Sequence, residues 1–213
     1  MKTDPPDIPA TPTIATVHLI DDDASFLRSL TRLLSASGYS VVAHRSAEDF
    51  LGTLGRGARG CVISDLRMPG MDGIALQEAL LQKGSPLPIV FLTGHGDIPI
   101  TVQAMRRGAE DFLTKQAPKQ QVLAAVDRAL ARDQKESGER ARRDALRQRL
   151  DTLTTRECEV LRGVLRGCLN KQIAFDLGIQ ERTVKHHRAN VTSKLGVNSV
   201  AELTRLAQDA GFQ

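Results

Sequence analysis

Residues 16–132 alternate short apolar segments with segments of helical periodicity, and this alternation restricts the possible folds more than any other feature. Five apolar segments predict strands, and hydrophobic residues recur at helical spacing after each of them. Strands that alternate with helices form a parallel sheet covered on both faces. We therefore predict a doubly wound α/β domain with a parallel five-stranded sheet. The predicted strands are Val17–Ile20, Val41–Ala43, Cys61–Ser64, Ile89–Leu92 and Asp111–Thr114.

Residues 151–213 show four short helical segments in place of this alternation. Thr154, with Glu157 three residues later, predicts a capping box at the start of the first segment. Asn170 predicts the cap of the second segment, and Gly178 and Gly196 predict the ends of the second and third. The chain is therefore expected to continue as a small all-α domain.

Two other stretches flank these domains. Residues 1–15 hold four prolines and few large apolar side chains, which predicts a flexible N-terminal tail. Residues 131–150 are polar and rich in arginine, with a narrow apolar stripe and Gly138 in the middle. We expect domains at 16–132 and 151–213, joined by a helical linker over 133–150. A disordered basic tether is the alternative for the linker.

The composition argues against several classes of protein. Aromatic residues make up 3% of the chain and Trp is absent, unlike the aromatic surfaces that bind single-stranded nucleic acid. The longest unbroken apolar run is Val122–Val126, whereas a membrane helix needs about 18 such residues. The N-terminus lacks a signal-peptide pattern, and three cysteines without paired spacing favour a reducing compartment. We therefore expect a cytoplasmic protein that does not enter the membrane.

The charge is unevenly distributed along the chain. The net charge is +4, and the basic excess lies in residues 131–213, while residues 1–130 are nearly balanced. A basic half beside a neutral half points to nucleic acid as a partner. A solvated basic helix face is the alternative interpretation.

Polar residues follow four of the predicted strands. The first strand ends in Asp21–Asp23, the third in Asp65, the fourth in Thr93 and the fifth in Lys115. Reactive groups of open parallel sheets gather beyond the carboxyl ends of the strands. Clustered carboxylates suit Mg²⁺, and a carboxylate can be the nucleophile toward a phosphoryl group. Taken singly, the same residues are compatible with a helix cap, a turn, a strand interior and a solvated charge.

Three segments around these residues resemble the signature segments of receiver domains in two-component response regulators. These segments are Val17–Asp23, Ser64–Gly73 and Leu92–Asp97. The likeness covers about residues 15–132 and is greatest for the FixJ-type branch. It implies the strand order 2-1-3-4-5, in which the first and third strands are neighbours.

The resemblance also implies roles for individual residues. Asp65 would be the phosphoacceptor, Thr93 would bind a phosphoryl oxygen, and Lys115 would pair with the phosphoryl charge. Phe112 matches the switch aromatic of the family, and packing in the core is its alternative role. The implied Mg²⁺ ligands are Asp21, Asp22, Asp65 and the backbone carbonyl of Arg67.

One position departs from the receiver pattern. Receivers usually have proline after the lysine, often through a cis bond, whereas this chain has Gln116 there. A cis bond before a residue other than proline costs about 2.5–4 kcal/mol. We therefore predict a trans Lys115–Gln116 bond and a different path for the loop that follows.

The second and third helical segments of residues 151–213 have the layout of a helix-turn-helix, whose second helix enters the major groove of DNA. The segments are Asn170–Leu177 and Glu181–Leu195, with a turn at 178–180. In the segment Glu181–Leu195, the predicted buried stripe is Val184, His187, Val191 and Leu195, with His187 as a packing residue. Its predicted open face is Arg182, Lys185, His186 and Ala189. A solvated helical hairpin is the alternative.

Residues 153–212 resemble the LuxR-type DNA-binding domain throughout. The segments that carry the likeness are Leu153–Glu157, Asn170–Ala174, Thr183–His187 and Lys194–Val197. The resemblance implies that Lys185 and His186 approach bases, and that the last helix mediates dimerisation. The residues implied to approach the DNA backbone are Lys171, Thr183, Arg188 and Lys194.

Together these features predict a DNA-binding transcriptional response regulator. A sensor histidine kinase would transfer a phosphoryl group to Asp65, and the protein would then form homodimers on promoter DNA, with RNA polymerase as a further partner. We do not expect an enzyme beyond autodephosphorylation, because Arg67 stands where phosphohydrolases with an Asp nucleophile need a second acid. The alternative is a DNA-binding regulator whose receiver is a phosphorylation-independent dimerisation module.

Overall fold

The computed structural model describes residues 15–55, 57–85, 87–94 and 98–212, and of residue 98 the backbone alone. Its strands are β1 (Thr16–Ile20), β2 (Ser40–His44), β3 (Gly60–Asp65), β4 (Ile89–Thr93) and β5 (Asp111–Thr114). Its first five helices are α1 (Ala24–Ala36), α2 (Ala47–Thr53), α3 (Gly73–Gln82), α4 (Ile98–Arg106) and α5 (Lys119–Asp151). The remaining helices are α6 (Thr155–Leu165), α7 (Asn170–Leu177), α8 (Glu181–Leu195) and α9 (Val200–Asp209).

The chain divides into two compact units, residues 1–137 and 138–213. The tail predicted over 1–15 lies outside the described residues except for its last position. Among the described residues, none of the helices is both long enough and apolar enough to cross a bilayer.

The first unit is a parallel sheet with the strand order β2-β1-β3-β4-β5, so the predicted fold class and strand order are confirmed. The central strands β3 and β4 are buried along their whole length, because helices cover both faces of the sheet. One apolar core, which includes Leu19 and Ile63, joins one face to α1 and α5. A second core, which includes Phe50 and Phe91, joins the other face to α2, α3 and α4.

A buried carboxylate fastens α5 to the amino end of β3. The Oδ2 of Asp133, which is fully buried, accepts hydrogen bonds from the Arg59 Nε at 2.9 Å and the Gly60 backbone N–H at 3.1 Å. Gly60 has φ of +126°, and a Cβ at this position would lie 1.9 Å from the carbonyl oxygen of Thr16. Only glycine allows β3 to start this close to β1.

Helix α5 is a single 33-residue helix that continues through the predicted linker. Gly138 does not interrupt it, although glycine disfavours a helix interior by about 1 kcal/mol relative to alanine. Within the second unit, Leu146 and Leu150 are buried in the same apolar core as Leu161 and Leu195. Burial of these two leucines stabilises the otherwise polar end of the helix.

The second unit contains the four short helices predicted by the sequence. The capping box of Thr154 and Glu157 is present, and Gly178 and Gly196 end α7 and α8 in the left-handed conformation. The expected cap of α7 was wrong by one residue. The cap is Leu169, whose backbone N–H bonds to the Gln172 side chain. Asn170 is the first helical residue, and its side chain instead accepts a hydrogen bond from an arginine of α8.

Candidate functional site

The strand register brings the polar strand ends of the first unit to one edge of the sheet. Ile20 pairs with Ser64, so Asp21 and Asp65 follow on neighbouring strands. Thr93 pairs with Thr114 on β5, directly before Lys115, and the Lys115 backbone N–H donates to the Thr93 carbonyl at 2.8 Å. Asp21, Asp65, Thr93 and Lys115 therefore lie at the same edge of the sheet, which is called the acidic pocket below.

An ammonium group bridges the two buried carboxylates of this pocket. The Nζ of Lys115 lies 2.6 Å from Asp21 Oδ2 and 2.7 Å from Asp65 Oδ2. Burial opposes the charge of the lysine, but its hydrogen bonds to both carboxylates outweigh burial and raise the pKa of Lys115. Burial raises the pKa of Asp21, with repulsion from Asp65 adding to it and contact with Lys115 opposing it.

Asp65 receives donors on both of its oxygens. The backbone N–H groups of Leu66 and Arg67 donate to Oδ1 at 2.6 and 3.3 Å, while Oδ2 faces Lys115. Gly73, at the start of α3, lies against this segment, because a Cβ there would be 2.6 Å from the Asp65 carbonyl oxygen. The sequence pattern does not mark Gly73 for this role, in which its small size lets α3 begin beside Asp65.

The three consecutive aspartates after β1 have different roles. Asp23 caps α1, since its Oδ1 accepts from the backbone N–H groups of Ser25 and Phe26 at 2.8 and 3.1 Å. These backbone hydrogen bonds lower the pKa of Asp23. Asp21 and Asp22 instead face the pocket beside Asp65. The helix-capping alternative therefore applies to Asp23 alone.

The acidic cluster fits a hard divalent cation. One carboxylate oxygen from each of Asp21, Asp22 and Asp65 lies within 4.8 Å of the other two. Asp21 and Asp65 are buried and Asp22 is exposed, so the cluster has an open side. An all-oxygen set of this kind, with room for water ligands, suits Mg²⁺.

The two remaining residues predicted for the receiver, Thr93 and Phe112, lie in the sheet itself, at the end of β4 and within β5. Thr93 is 1% exposed at the end of β4. Phe112 is half-buried, packs against the core around Phe91, and has its ring centroid 6.1 Å from that of Phe91. Residues 95–97 of the motif that begins at Leu92 lie outside the described residues.

The Lys115–Gln116 peptide bond is trans, as predicted. The absence of proline at residue 116 does not keep the lysine from the pocket, since its ammonium contacts both Asp21 and Asp65.

The second unit places its predicted helix-turn-helix at α7 and α8. Val184, Val191 and Leu195 of α8 are buried, and His187 is half-buried beside them. Lys185 and His186 are exposed on the other face, together with Arg182. Helix α8 therefore has the apolar and basic faces that the sequence predicted.

Residues expected to approach DNA also have partners within the unit. Arg188 Nη1 donates to Asn170 Oδ1 at 2.7 Å, which joins α8 to the start of α7. Lys185 lies 3.4 Å from Glu181 Oε1, and a ring nitrogen of His186 lies 3.3 Å from Asn190 Nδ2. Lys171 is exposed and Thr183 is half-buried.

Lys194 is held by a buried glutamate. Its Nζ lies 2.6 Å from Oε2 of Glu157, which is 3% exposed, and 3.1 Å from the carbonyl oxygen of Thr152. The hydrogen bond with Lys194, followed by that with the Thr154 backbone, lowers the pKa of Glu157 to about 2. The capping-box pattern predicted that Glu157 caps α6, but nothing in the sequence indicated its ion pair with Lys194.

Both units match families of known proteins. Residues 17–127 match the response regulator receiver domain, and residues 151–207 match the luxR family of bacterial regulatory proteins. The chain therefore belongs to the response regulators that carry a receiver domain and a LuxR-type DNA-binding domain.

Individual relatives agree with this assignment over most of the chain. The response regulator protein TodT of Pseudomonas putida is 41% identical over 192 residues, which are 90% of this chain and 85% of TodT. The transcriptional regulatory protein FixJ of Azorhizobium caulinodans is 42% identical over 195 residues, 92% of each chain. The structure of the response regulator StyR has a TM-score of 0.84 and 44% identity, covering 92% of this chain and 98% of StyR.

The protein is thus a two-component response regulator and a transcription regulator that binds DNA through its LuxR-type domain. The two domains support DNA and a histidine kinase as partners. The assignment agrees with a regulatory protein rather than an enzyme. The alternative of a phosphorylation-independent receiver is not favoured, since the chain matches the receiver family over 17–127.

Proposed function

We propose that Asp65 accepts a phosphoryl group from a phosphohistidine of a sensor kinase, and that this modification increases dimerisation and promoter binding. The observation that carries the proposal is the position of the Lys115 ammonium, 2.7 Å from Asp65 Oδ2 and also in contact with Asp21. A nucleophilic carboxylate beside a fixed cation suits transfer of a group that brings negative charge.

In the transfer, a carboxylate oxygen of Asp65 attacks phosphorus and the P–N bond of the phosphohistidine breaks. The imidazole leaves with the bonding electron pair and takes a proton from water. Lys115 and the hydroxyl of Thr93 stabilise the charge on the transferred phosphoryl oxygens. Mg²⁺, held by the three clustered carboxylates and the backbone carbonyl of Arg67, would neutralise part of that charge when bound.

The phosphoryl group is removed by autodephosphorylation. A water molecule attacks phosphorus, the bond between phosphorus and the Asp65 oxygen breaks, and inorganic phosphate leaves. Both steps use the same pocket, so substitutions at Lys115 or Thr93 affect the formation and the lifetime of the phosphorylated form together.

The phosphoryl group changes output by shifting a conformational equilibrium. Thr93 moves toward the phosphoryl oxygens and Phe112 turns inward, which rearranges the face formed by α4 and β5. The phosphorylated receivers dimerise, and two α8 helices then contact half-sites about one duplex turn apart.

The DNA contacts divide into two groups. Lys185 and His186 approach bases, while Lys171, Thr183, Arg188 and Lys194 approach the DNA backbone. The last helix α9 contributes to dimerisation, and the promoter complex engages RNA polymerase. These steps take place in the cytoplasm, where the DNA and the kinase's phosphohistidine are both accessible.

Labelling with a small phosphodonor tests the first step. Wild-type protein, incubated with Mg²⁺ and the donor, is expected to acquire one acid-stable, base-labile phosphoryl group, and Asp65→Asn is expected to acquire none. Asp72→Asn is the matched control, because Asp72 is an exposed cap of α3 and asparagine caps a helix equally well. Equal labelling of Asp65→Asn and wild type contradicts the proposal.

Sedimentation and operator binding test the second step. The dimer fraction and DNA affinity of the wild type are expected to rise with the phosphodonor, and those of Asp65→Asn are expected to stay unchanged. A wild type that takes the label without a change in either quantity supports a receiver that dimerises independently of phosphorylation.

A further inference from the structure

The ammonium of Lys115 has an aromatic neighbour in addition to its two carboxylates. Its Nζ lies 4.7 Å from the centroid of the Phe26 ring. A cation at this distance from a ring face is attracted by the negative potential of the π system. The ring therefore holds the lysine from the side of α1, while Asp21 and Asp65 hold it from the side of the sheet.

Local structure fixes the place of the ring. Phe26 lies in the first turn of α1, and its backbone N–H donates to the capping side chain of Asp23 at 3.1 Å. The ring is half-buried and packs against the core that includes Leu30. The helix turn and the core therefore hold Phe26 in place independently of its contact with the lysine.

An open groove borders the lysine on the same side. The groove has a volume of about 180 Å³ and is lined by apolar side chains of α1 and by residues of the β5–α5 segment. Phe26, Leu33, Lys115 and Ala117 are among its lining residues. Because the Lys115 side chain is 19% exposed, loss of the ring would let the ammonium turn toward water in this groove.

We propose that Phe26 is a positioning residue for phosphoryl transfer, whose ring face keeps the Lys115 ammonium directed at Asp65. The proposal rests on the proposed function of Asp65. The place of Phe26 in a helical apolar stripe indicates only core packing. The proposal adds a second role to it. Phe26 is not a catalytic residue in this scheme, since it acts only through Lys115.

Two substitutions at Phe26 distinguish the effect of the aromatic π face from the effect of side-chain volume. Phe26→Leu keeps an apolar side chain and removes the π face, whereas Phe26→Tyr keeps the ring. Leu33→Ala is the matched control, because Leu33 lines the same groove and packs against the same core. Thermal unfolding of all variants first measures how much stability each change removes.

Labelling by a small phosphodonor with Mg²⁺ is the functional measurement. Phe26→Leu is expected to label about 2- to 10-fold more slowly than wild type, the range that corresponds to one cation–π contact. Phe26→Tyr is expected to label within about twofold of wild type. Leu33→Ala is expected to lose stability while its labelling rate stays near that of wild type.

NMR of the unphosphorylated protein without metal supplies a second measurement. The side-chain methylene protons of Lys115 next to the ammonium are expected to show an upfield ring-current shift in wild type and Phe26→Tyr. The shift is expected to disappear in Phe26→Leu and to persist in Leu33→Ala.

The outcomes distinguish this proposal from the proposed function. If wild type labels and Phe26→Leu labels equally fast, or if Phe26→Tyr is as slow as Phe26→Leu, the role of Phe26 is wrong while Asp65 remains the acceptor. An unchanged Lys115 shift in Phe26→Leu also overturns it. If wild type takes no label at all, the proposed function fails, and the positioning role fails with it.

Discussion

The ammonium of Lys115 lies 2.6 Å from Oδ2 of Asp21, one of the carboxylates of the predicted Mg²⁺ site. The lysine and a divalent cation therefore draw on the same negative charge. Their mutual repulsion makes each cation weaken the binding of the other in the unphosphorylated protein.

We expect Lys115→Met to bind Mg²⁺ about 10-fold more tightly than wild type at pH 8, because a positive charge close to the site has been removed. Isothermal titration calorimetry with MgCl₂ measures the affinity. Lys119→Met, an exposed lysine at the start of α5, is the control and is expected to leave the affinity unchanged. Equal affinities of Lys115→Met and wild type would show that the two cations do not share the carboxylates.

Breaking the ion pair between Asp133 and Arg59 is expected to lower the stability of the receiver. Arg59→Met leaves the fully buried carboxylate of Asp133 without its cation, and we expect a loss of about 2–4 kcal/mol in the free energy of unfolding. Urea denaturation, followed by the fluorescence of the single tyrosine, Tyr39, reports on this unit. The double variant Arg59→Met with Asp133→Leu is expected to regain part of the loss, because an apolar pair needs no compensating charge.

The matched control for this pair is a surface ion pair on the same helix. Arg128 contacts Asp111 and is about half exposed, so Arg128→Ala is expected to change the free energy of unfolding by less than about 1 kcal/mol. A similar small effect for Arg59→Met contradicts a structural role of the buried pair.

Because Glu157 is paired with Lys194, we expect the stability of the DNA-binding unit to depend on pH. The pKa of Glu157 is lowered from 4.5 to about 2 in the folded protein, so the unfolded state binds the proton more readily. The stabilisation from this carboxylate is therefore complete above about pH 5 and is lost as the pH falls toward 2. Lys194→Met is expected to unfold more easily at pH 7 and to show a smaller loss between pH 5 and pH 2.

Circular dichroism melts across this pH range measure that effect. Lys185→Met is the control, because Lys185 and Glu181 form an exposed pair, which contributes little to stability. If Lys194→Met and wild type lose stability in parallel as the pH falls, Lys194 does not lower the pKa of Glu157.

DNA titrations at several salt concentrations distinguish the cations of the second unit. Lys185→Ala is expected to weaken binding to the operator by about 1–3 kcal/mol and to weaken nonspecific binding less, because an exposed lysine of α8 can reach base edges. Lys171→Ala is expected to weaken both equally and to reduce the salt slope by about 1. Equal losses of operator and nonspecific binding in Lys185→Ala would show that Lys185 contacts only phosphate.

Lys194 provides a separate comparison in the same titrations. Its ammonium is bound by Glu157 and by the Thr152 carbonyl, so the free protein already neutralises much of its charge. A salt slope for Lys194→Met equal to that of wild type indicates a structural lysine. A slope reduced by about 1 supports the predicted contact with the DNA backbone.

The linker shows where local patterns stop being informative. Residues 131–150 carry few apolar side chains, so both a helix and a disordered tether fitted the sequence. The structure has one continuous helix there, and Leu146 and Leu150 are buried in the core of the second unit. Their burial depends on residues far along the chain, which periodicity within the linker cannot report.

The sequence by itself determined the order of strands and helices, the polar residues at the carboxyl ends of the strands, and the apolar and basic faces of α8. These features follow from hydrophobic period and from end residues, which are local properties of the chain. The tertiary structure alone decided the partner of each charged group: Lys115 with Asp21, Asp65 and Phe26, Asp133 with Arg59, and Lys194 with Glu157. These partners are distant in sequence and meet only when the helices pack, so their contacts depend on the three-dimensional arrangement of the packed elements.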